Sequence, residues 1–535
     1  MIMVDQLAAQ WLPAYGHRVV RAPVLAALAA RSVVFDAAYC ASPLCAPSRS
    51  ALLSGRHASA IEVFDNAAEL RASVPTVAHA FRAAGYRTCL VGKMHFVGPD
   101  QLHGFERRLT TDVYPASLDW TPDWSRPVAD RLPWYHSVEA VLTPARTVAS
   151  MQVDYDDEVA FHAVRHLHDL AREGSERPFL LTVSFTHPHD PWELPGRYWD
   201  LYDPSAVEGP AVPAVSLERA DPHSLRLAQM SGLDLVEISE EQVRRARHGY
   251  YAAISYVDER IGSVVSALRA TGFDRDTLIV FTADHGEFLG ERGLWYKMSF
   301  LEPAARVPLF VSGPGVEAGR RVGTPVSLLD VAPTLVSLAD VAADGMEMDG
   351  SSLAGLLGGQ VAGGHAGAGE HGPVISEYHA EGVNAPAAMI RHGPHKLIVC
   401  RTDPDQLFDL SEDPLELSNL AGRGEHAATA ASLREELAGR LDLDSIERRV
   451  LESQRERHLV ARALAAGAPT TWDFQPYVDA STQYVRTRAD LYHLQRLARL
   501  EARSATQPER GERSGDDRDQ VGDVRPGDLV DHAGE

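Results

Sequence analysis

Cysteine is scarce in this chain: four in 535 residues, at Cys40, Cys45, Cys89 and Cys400. So few thiols over this length exclude a disulfide framework and fit a reducing compartment. Long apolar runs are also missing. No stretch reaches the roughly 20 apolar residues that span a bilayer as a helix. No charged-then-apolar leader with a small-residue cleavage site opens the chain. A cytoplasmic location and no membrane partner are the expectation. Basic charge is in the minority, with 51 Lys and Arg against 74 Asp and Glu, a formal net charge of −23. That balance argues against nucleic acid or an anionic lipid surface as partner. It favours a cationic substrate only weakly, because bulk charge says little about one pocket.

Hydrophobic residues make up 45% of the chain, enough for one large α/β domain and a smaller one. Short β-branched or apolar runs stand at 2–4, 32–35, 88–91, 179–185, 278–282 and 308–311. Helical patterns alternate with them at 22–30, 74–84, 154–171, 240–268 and 327–338. Apolar strands alternating with helices predict an α/β fold: a large mixed, mostly parallel sheet sandwiched by helices. In such sheets ligands bind at the carboxyl ends of the strands. A Gly/Ala-rich stretch at 355–372 reads as a surface connection. Apolar runs at 387–390 and 396–399, then a helix over 433–465, predict a smaller C-terminal α+β subdomain. The expected boundaries are a catalytic domain over 1–370, a subdomain over 371–503 and a polar, disordered tail over 504–535.

The chemistry begins at Cys45-Ala46-Pro47-Ser48-Arg49, followed by Leu52-Leu53-Ser54-Gly55. Cys-x-Pro-x-Arg with that continuation is the pattern a formylglycine-generating enzyme reads. Oxidation of the Cys gives an aldehyde whose hydrate, beside a divalent cation, is a strong nucleophile at neutral pH. A second signature, GYRTCLVGKMH, covers 85–95. Asp5 and Asp284 each follow a strand, with Gln6 and His285 next to them. A strand-end Asp taken singly is as often a cap or turn former as a metal ligand. Beside the Cys45 motif, oxygen ligands for a hard dication are what the chemistry needs. An anion held beside such a nucleophile needs cations, and Arg49, Lys93, His95, His189 and Lys297 are the candidates. Tyr114, Trp120, Trp124 and Trp134 cluster in a Pro-rich segment. Their faces suit a quaternary ammonium, although spacing alone favours loop packing.

These motifs resemble the sulfatases of the alkaline phosphatase superfamily over roughly residues 1 to 500. Longer matches are similar to bacterial choline-sulfatases: GKMHFVGPDQLHGFE at 92–106, LTTDVYP at 109–115, WTPDW at 120–124, FDNAAE at 64–69, GERGLWYKMSF at 290–300 and WDFQPYVDA at 472–480. The resemblance implies that Asp5, Asp284, His285 and the formylglycine from Cys45 hold a calcium-like ion, with Mn2+ or Mg2+ as alternatives and Gln6 as an extra ligand. Arg49 would stabilise the hydrated aldehyde. Asn66, Lys93, His95, His189 and Lys297 would grip the sulfate and help the leaving oxygen depart. Trp120 and His136 would line a choline pocket, and Asp490 would face the ammonium, from a neighbouring subunit of a homo-oligomer. The implied reaction is hydrolysis of choline O-sulfate, a small-molecule sulfate ester. Two rivals stand beside it. A phosphonate or phosphate-ester hydrolase of the same superfamily usually carries Tyr and Thr where this chain has Lys93 and His95. A non-catalytic binding module would have lost metal or nucleophile residues, and none is missing.

Overall fold

The computed structural model describes residues 1–114, 117–174, 176–358 and 371–466. Each of the six expected strands forms. In chain order the strands are β1 (Ile2–Val4), β2 (Val33–Tyr39), β3 (Arg87–Gly92), β4 (Arg107–Arg108), β5 (Ala145–Thr147), β6 (Phe179–Ser184), β7 (Glu193–Pro195), β8 (Ile279–Ala283), β9 (Arg306–Ser312), β10 (Arg321–Val322) and β11 (Val326–Ser327). β5 and β7 pair apart from the rest. The others form a nine-stranded sheet in the order β10-β2-β9-β8-β1-β6-β3-β4, with β11 also beside β2.

The run from β8 through β1, β6 and β3 to β4 is parallel throughout. β9 is antiparallel to both β8 and β2. Those two reversals return β2 to the direction of β8. The carboxyl ends of β1, β2, β3, β6 and β8 therefore share one edge of the sheet. Every residue of β1 and β8 is buried, as expected of strands covered on both faces. One helical layer joins Pro23–Ala29, Met151–Glu173 and Glu240–Ala270; a second joins Cys45–Ser54, Val77–Ala83 and Val331–Leu338. β3 and β6 approach so closely at Gly92 (φ +106°) that a Cβ there would lie 1.9 Å from the Ser184 carbonyl oxygen. Only glycine fits.

The smaller subdomain holds an antiparallel sheet of β12 (Val374–Tyr378), β13 (Ala387–His392), β14 (His395–Cys400) and β15 (Asp403–Asp409). The Glu377 N–H donates to Ala41 O at 3.0 Å, tying β12 to the segment after β2. The single helix expected over 433–465 is instead two, Ala427–Ala438 and Leu443–Ala465. Gly439 follows the first, and the Asp442 carboxylate caps the second by accepting from Ser445 N at 2.9 Å. A helical hydrophobic pattern runs through both and hides the break. The helix expected from 74 starts at Val77, because Thr76 and His79 form a reciprocal cap. The connection at 359–370, the 472–480 match, Asp490 and the 504–535 tail lie outside the described residues. Among the described residues no helix is long and apolar enough to cross a membrane.

Candidate active site

Cys45 is the first residue of the helix Cys45–Ser54, reached from the end of β2. Its neighbours come from the other strand ends on that edge: Asp5 and Gln6 after β1, Lys93 and His95 after β3, His189 after β6, Asp284 and His285 after β8. Sequence spacings of up to 280 residues thus collapse into one cluster. Cys45 Sγ lies 3.2 Å from His285 Nε2, 3.9 Å from Asp5 Oδ1 and 4.0 Å from Lys93 Nζ.

Arg49, one turn below Cys45, is fully buried and spends its guanidinium on four bonds. Nε donates to Asp284 Oδ2 at 2.7 Å and Nη2 to Asp5 Oδ2 at 2.9 Å. Nη1 donates to Lys93 O and Ser184 Oγ, both at 2.8 Å. Lys93 Nζ reaches Asp5 Oδ2 at 2.6 Å. Burial and the neighbouring Cys45 charge work against ionised Asp5, but Lys93 and Arg49 outweigh them and hold its carboxyl well below the usual range. Burial likewise opposes ionisation of Cys45; Lys297, Lys93 and His285 overcome it and pull the thiol well down. The field at position 45 therefore favours an anion, helped by the N-terminus of the helix.

The ligand atoms of Asp5, Cys45, Asp284 and His285 all lie within 4.8 Å of one another. Two carboxylates and an imidazole around a buried point suit a divalent cation. Gln6 is placed differently. Its Oε1 accepts from Lys297 Nζ, while its Nε2 donates to Glu287 Oε2 at 2.6 Å and Asp190 Oδ1 at 3.1 Å. Burial raises Glu287 to about 7. Asn66 Oδ1 accepts from Ala46 N at 2.9 Å, capping the Cys45 helix.

A cavity of about 450 Å³ opens beside this cluster. Cys45, Asn66, Lys93, His95, Tyr114, His189 and Lys297 line its inner end; Trp120, Trp134, Tyr135, His136, Glu139 and Glu381 are among the residues lining the rest. The His95 ring nitrogens are buried without a partner, free for an anion's oxygens. Backbone in the left-handed region recurs here: Gln6 (φ 61°), His95 (φ 59°), Tyr296 (φ 67°) and Met298 (φ 72°), the last two flanking Lys297. Strain of this kind gathers where side chains are held for chemistry.

The outer chamber is aromatic. Trp120 stacks on Trp134 with centroids 6.2 Å apart, and His136 stacks on Tyr296 at 4.5 Å. Burial and the charge of Lys297 lower His136 to about 4, so it stands neutral at pH 7. Of the clustered aromatics, Trp124 does the loop packing: its Nε1 donates to Ala380 O at 2.9 Å and it does not line the cavity. His187, two residues before His189 in the same loop, braces that loop against Asp156, with Nδ1 2.7 Å from Oδ2. Only His189 faces the cavity. Sequence reasoning missed Glu381, in the loop from β12 to β13. It is buried, and its Oε2 has no hydrogen-bond partner. Burial, with a contribution from Asp65, raises it to about 8. No local motif marks it.

Against known proteins, the model described as "Sulfatase" matches residues 1–341. The chain belongs to the sulfatase family. Two further models match the sulfatase downstream: "N-sulphoglucosamine sulphohydrolase, C-terminal" at 290–442 and "Choline sulfatase enzyme C terminal" at 448–500. A choline-sulfatase of Rhizobium meliloti is 46% identical over 508 residues, 93% of this chain and 97% of that protein. Arylsulfatase K of Bos taurus is 30% identical over 430 residues, 76% of this chain and 75% of its own. Among solved structures, a phosphonate monoester hydrolase of Agrobacterium radiobacter is similar at a TM-score of 0.65 and 27% identity, covering 82% of this chain and 94% of its own. A 2-O GAG sulfatase shares the fold at a TM-score of 0.62 and 24% identity, covering 84% and 91%.

Proposed function

We propose that this sulfatase hydrolyses choline O-sulfate to choline and sulfate. The observation that carries the reading is the two-part cavity. Its inner end is cationic, from Lys93, His95, His189 and Lys297. Its outer chamber presents Trp120, Trp134, neutral His136 and Glu381, whose Oε2 has no partner. A sulfate monoester with a quaternary ammonium at its other end matches both halves. The full-length likeness to a choline-sulfatase supports the same substrate.

Asp5, Asp284 and His285, joined by residue 45 as formylglycine, would hold the divalent cation, Ca2+ being the first choice; Gln6, whose Oε1 accepts from Lys297 Nζ, stands outside that group. When present, the cation and the aldehyde hydrate supply an oxygen nucleophile of lowered pKa. The remaining residues bind and orient. Arg49 holds both metal-binding carboxylates. Lys93 and His95 take sulfate oxygens, Asn66 fixes the helix start, and His189 and Lys297 serve the departing oxygen. Positioning and concentrated positive charge are the sources of rate. In this reading Asp490 adds a carboxylate to the ammonium pocket of a homo-oligomeric, cytoplasmic enzyme matured by a formylglycine-generating enzyme.

The test is turnover of choline sulfate, a nitrophenyl sulfate and a phosphonate monoester by one matured preparation. The expected order in kcat/KM is choline sulfate first, then the aryl sulfate. A preference for the phosphonate monoester would move the protein to its rival class.

A further inference from the structure

His189 Nδ1 lies 2.6 Å from the backbone oxygen of Asp190 and 3.0 Å from Tyr114 Oη. A carbonyl oxygen can only accept, so Nδ1 carries a proton. On the other side of the ring, Nε2 lies 2.9 Å from Lys297 Nζ. An ammonium can only donate, so Nε2 presents its lone pair. Both bonds select the same neutral tautomer. Gln152, buried at the start of the helix Met151–Glu173, fixes two of the three oxygens that face Nδ1, the third being Asp190 Oδ1 at 3.3 Å. Its Nε2 donates to Asp190 O at 2.7 Å and to Tyr114 Oη at 2.9 Å. The carbonyl of Asp190 also dictates which end of the Gln152 amide points there. The Tyr114 ring meanwhile lies under Lys93 Nζ, 4.1 Å from its centroid.

We infer that Tyr114 and Gln152 are positioning residues that hold His189 as its Nδ1–H tautomer, so that Nε2 aims Lys297 and gives up no proton itself. The inference rests on the sulfate-ester reading above. Two N–H groups of Lys297 are taken, by Gln6 Oε1 and His189 Nε2, and the third is left for the cavity it lines. As a nucleophilic oxygen bonds to sulfur and the ester S–O bond breaks, the electron pair of the broken bond stays on the departing oxygen. That oxygen takes a proton from Lys297 Nζ, and the amine regains one from the water that hydrolysis consumes. A choline alkoxide needs this proton; a nitrophenolate leaves without it.

The leaving group therefore tests the inference. Tyr114→Phe keeps the ring beneath Lys93 and deletes only the hydroxyl; Gln152→Ala removes the brace. Each is expected to lower kcat for choline sulfate about 10-fold with KM little changed, while kcat for a nitrophenyl sulfate stays within about twofold. Equal losses on both substrates at unchanged thermal stability would overturn the inference. If Gln152→Ala fails to fold, Tyr114→Phe carries the comparison alone. Neutron diffraction from the deuterated wild-type protein reads the tautomer directly: deuterium on Nδ1 and none on Nε2 is expected, and deuterium on Nε2 refutes it. Failure of the wild type on both sulfates would instead sink the substrate reading and leave the neutron result standing.

Discussion

Arg49 Nη2 donates to Asp5 Oδ2 at 2.9 Å, and both side chains are wholly shut off from solvent. The same guanidinium binds Asp284 through Nε. One planar fork thus sets the spacing of the two carboxylates that face the proposed metal-binding point. A lysine lacks that fork, and its single nitrogen cannot hold both carboxylates at this spacing while also bonding Lys93 O and Ser184 Oγ. Arg49→Lys should therefore weaken cation retention about 10- to 100-fold and lower turnover by a similar factor. Metal content after dialysis, beside kinetics at saturating cation, checks this. Wild-type retention in the variant would remove Arg49 from that role.

Position 45 should carry the nucleophile as formylglycine. Peptide mass spectrometry of active protein is expected to find the aldehyde there, and Cys45→Ala should abolish turnover, because no neighbouring side chain can supply a gem-diol. Full activity with an intact thiol would end the proposed chemistry.

Trp120 is expected to select the cationic head group. A cation–π contact is worth about 0.5–2 kcal/mol. Trp120→Ala should raise KM for choline sulfate several-fold and leave that for a neutral aryl sulfate nearly unchanged. Parallel increases on both substrates would make Trp120 a packing residue.

Glu381 gives the binding a pH signature. With its carboxyl raised to about 8, the empty pocket is mostly protonated at pH 7, and an ammonium ion favours the carboxylate. Choline sulfate should release protons on binding, and its KM should fall as pH rises from 6 towards 8. Glu381→Gln should flatten both, as read by calorimetry in buffers of different ionisation enthalpy.

The same residue affects stability. Its folded value of about 8 exceeds the ordinary 4.5. Below pH 4.5 both states hold the proton and nothing is lost. Between 4.5 and 8 only the unfolded chain ionises, so stability falls with rising pH. Glu381→Gln should consequently melt about 2–4 °C above the wild type at pH 8, with no difference at pH 4. A lower melting point at pH 8 would contradict the buried, uncompensated carboxyl.

Much of this site was legible because its chemistry is bound to local patterns. Asp5, Lys93 and Asp284 each follow an apolar strand, and Cys45 carries its own motif. The strand ends then had to meet, since ligands gather on the carboxyl edge. What stayed hidden depends on distant packing. Glu381 enters from the small sheet through the Glu377–Ala41 link, which no spacing announces. Trp120 and Trp124 look alike in sequence, yet one lines the cavity and the other binds Ala380 O. Likewise His187 and His189 stand in one loop with opposite duties. The break at 439–442 escaped because Asp442 caps its helix from within a continuous apolar rhythm.

The left-handed turns at Gln6, His95, Tyr296 and Met298 each cost about 1–2 kcal/mol that a glycine would not. All four side chains are buried, so glycine at Met298 would give up packing worth about 2–5 kcal/mol to recover less. It would also free the segment that presents Lys297. A laboratory selection rewarding endurance alone should thus leave these four positions as they are.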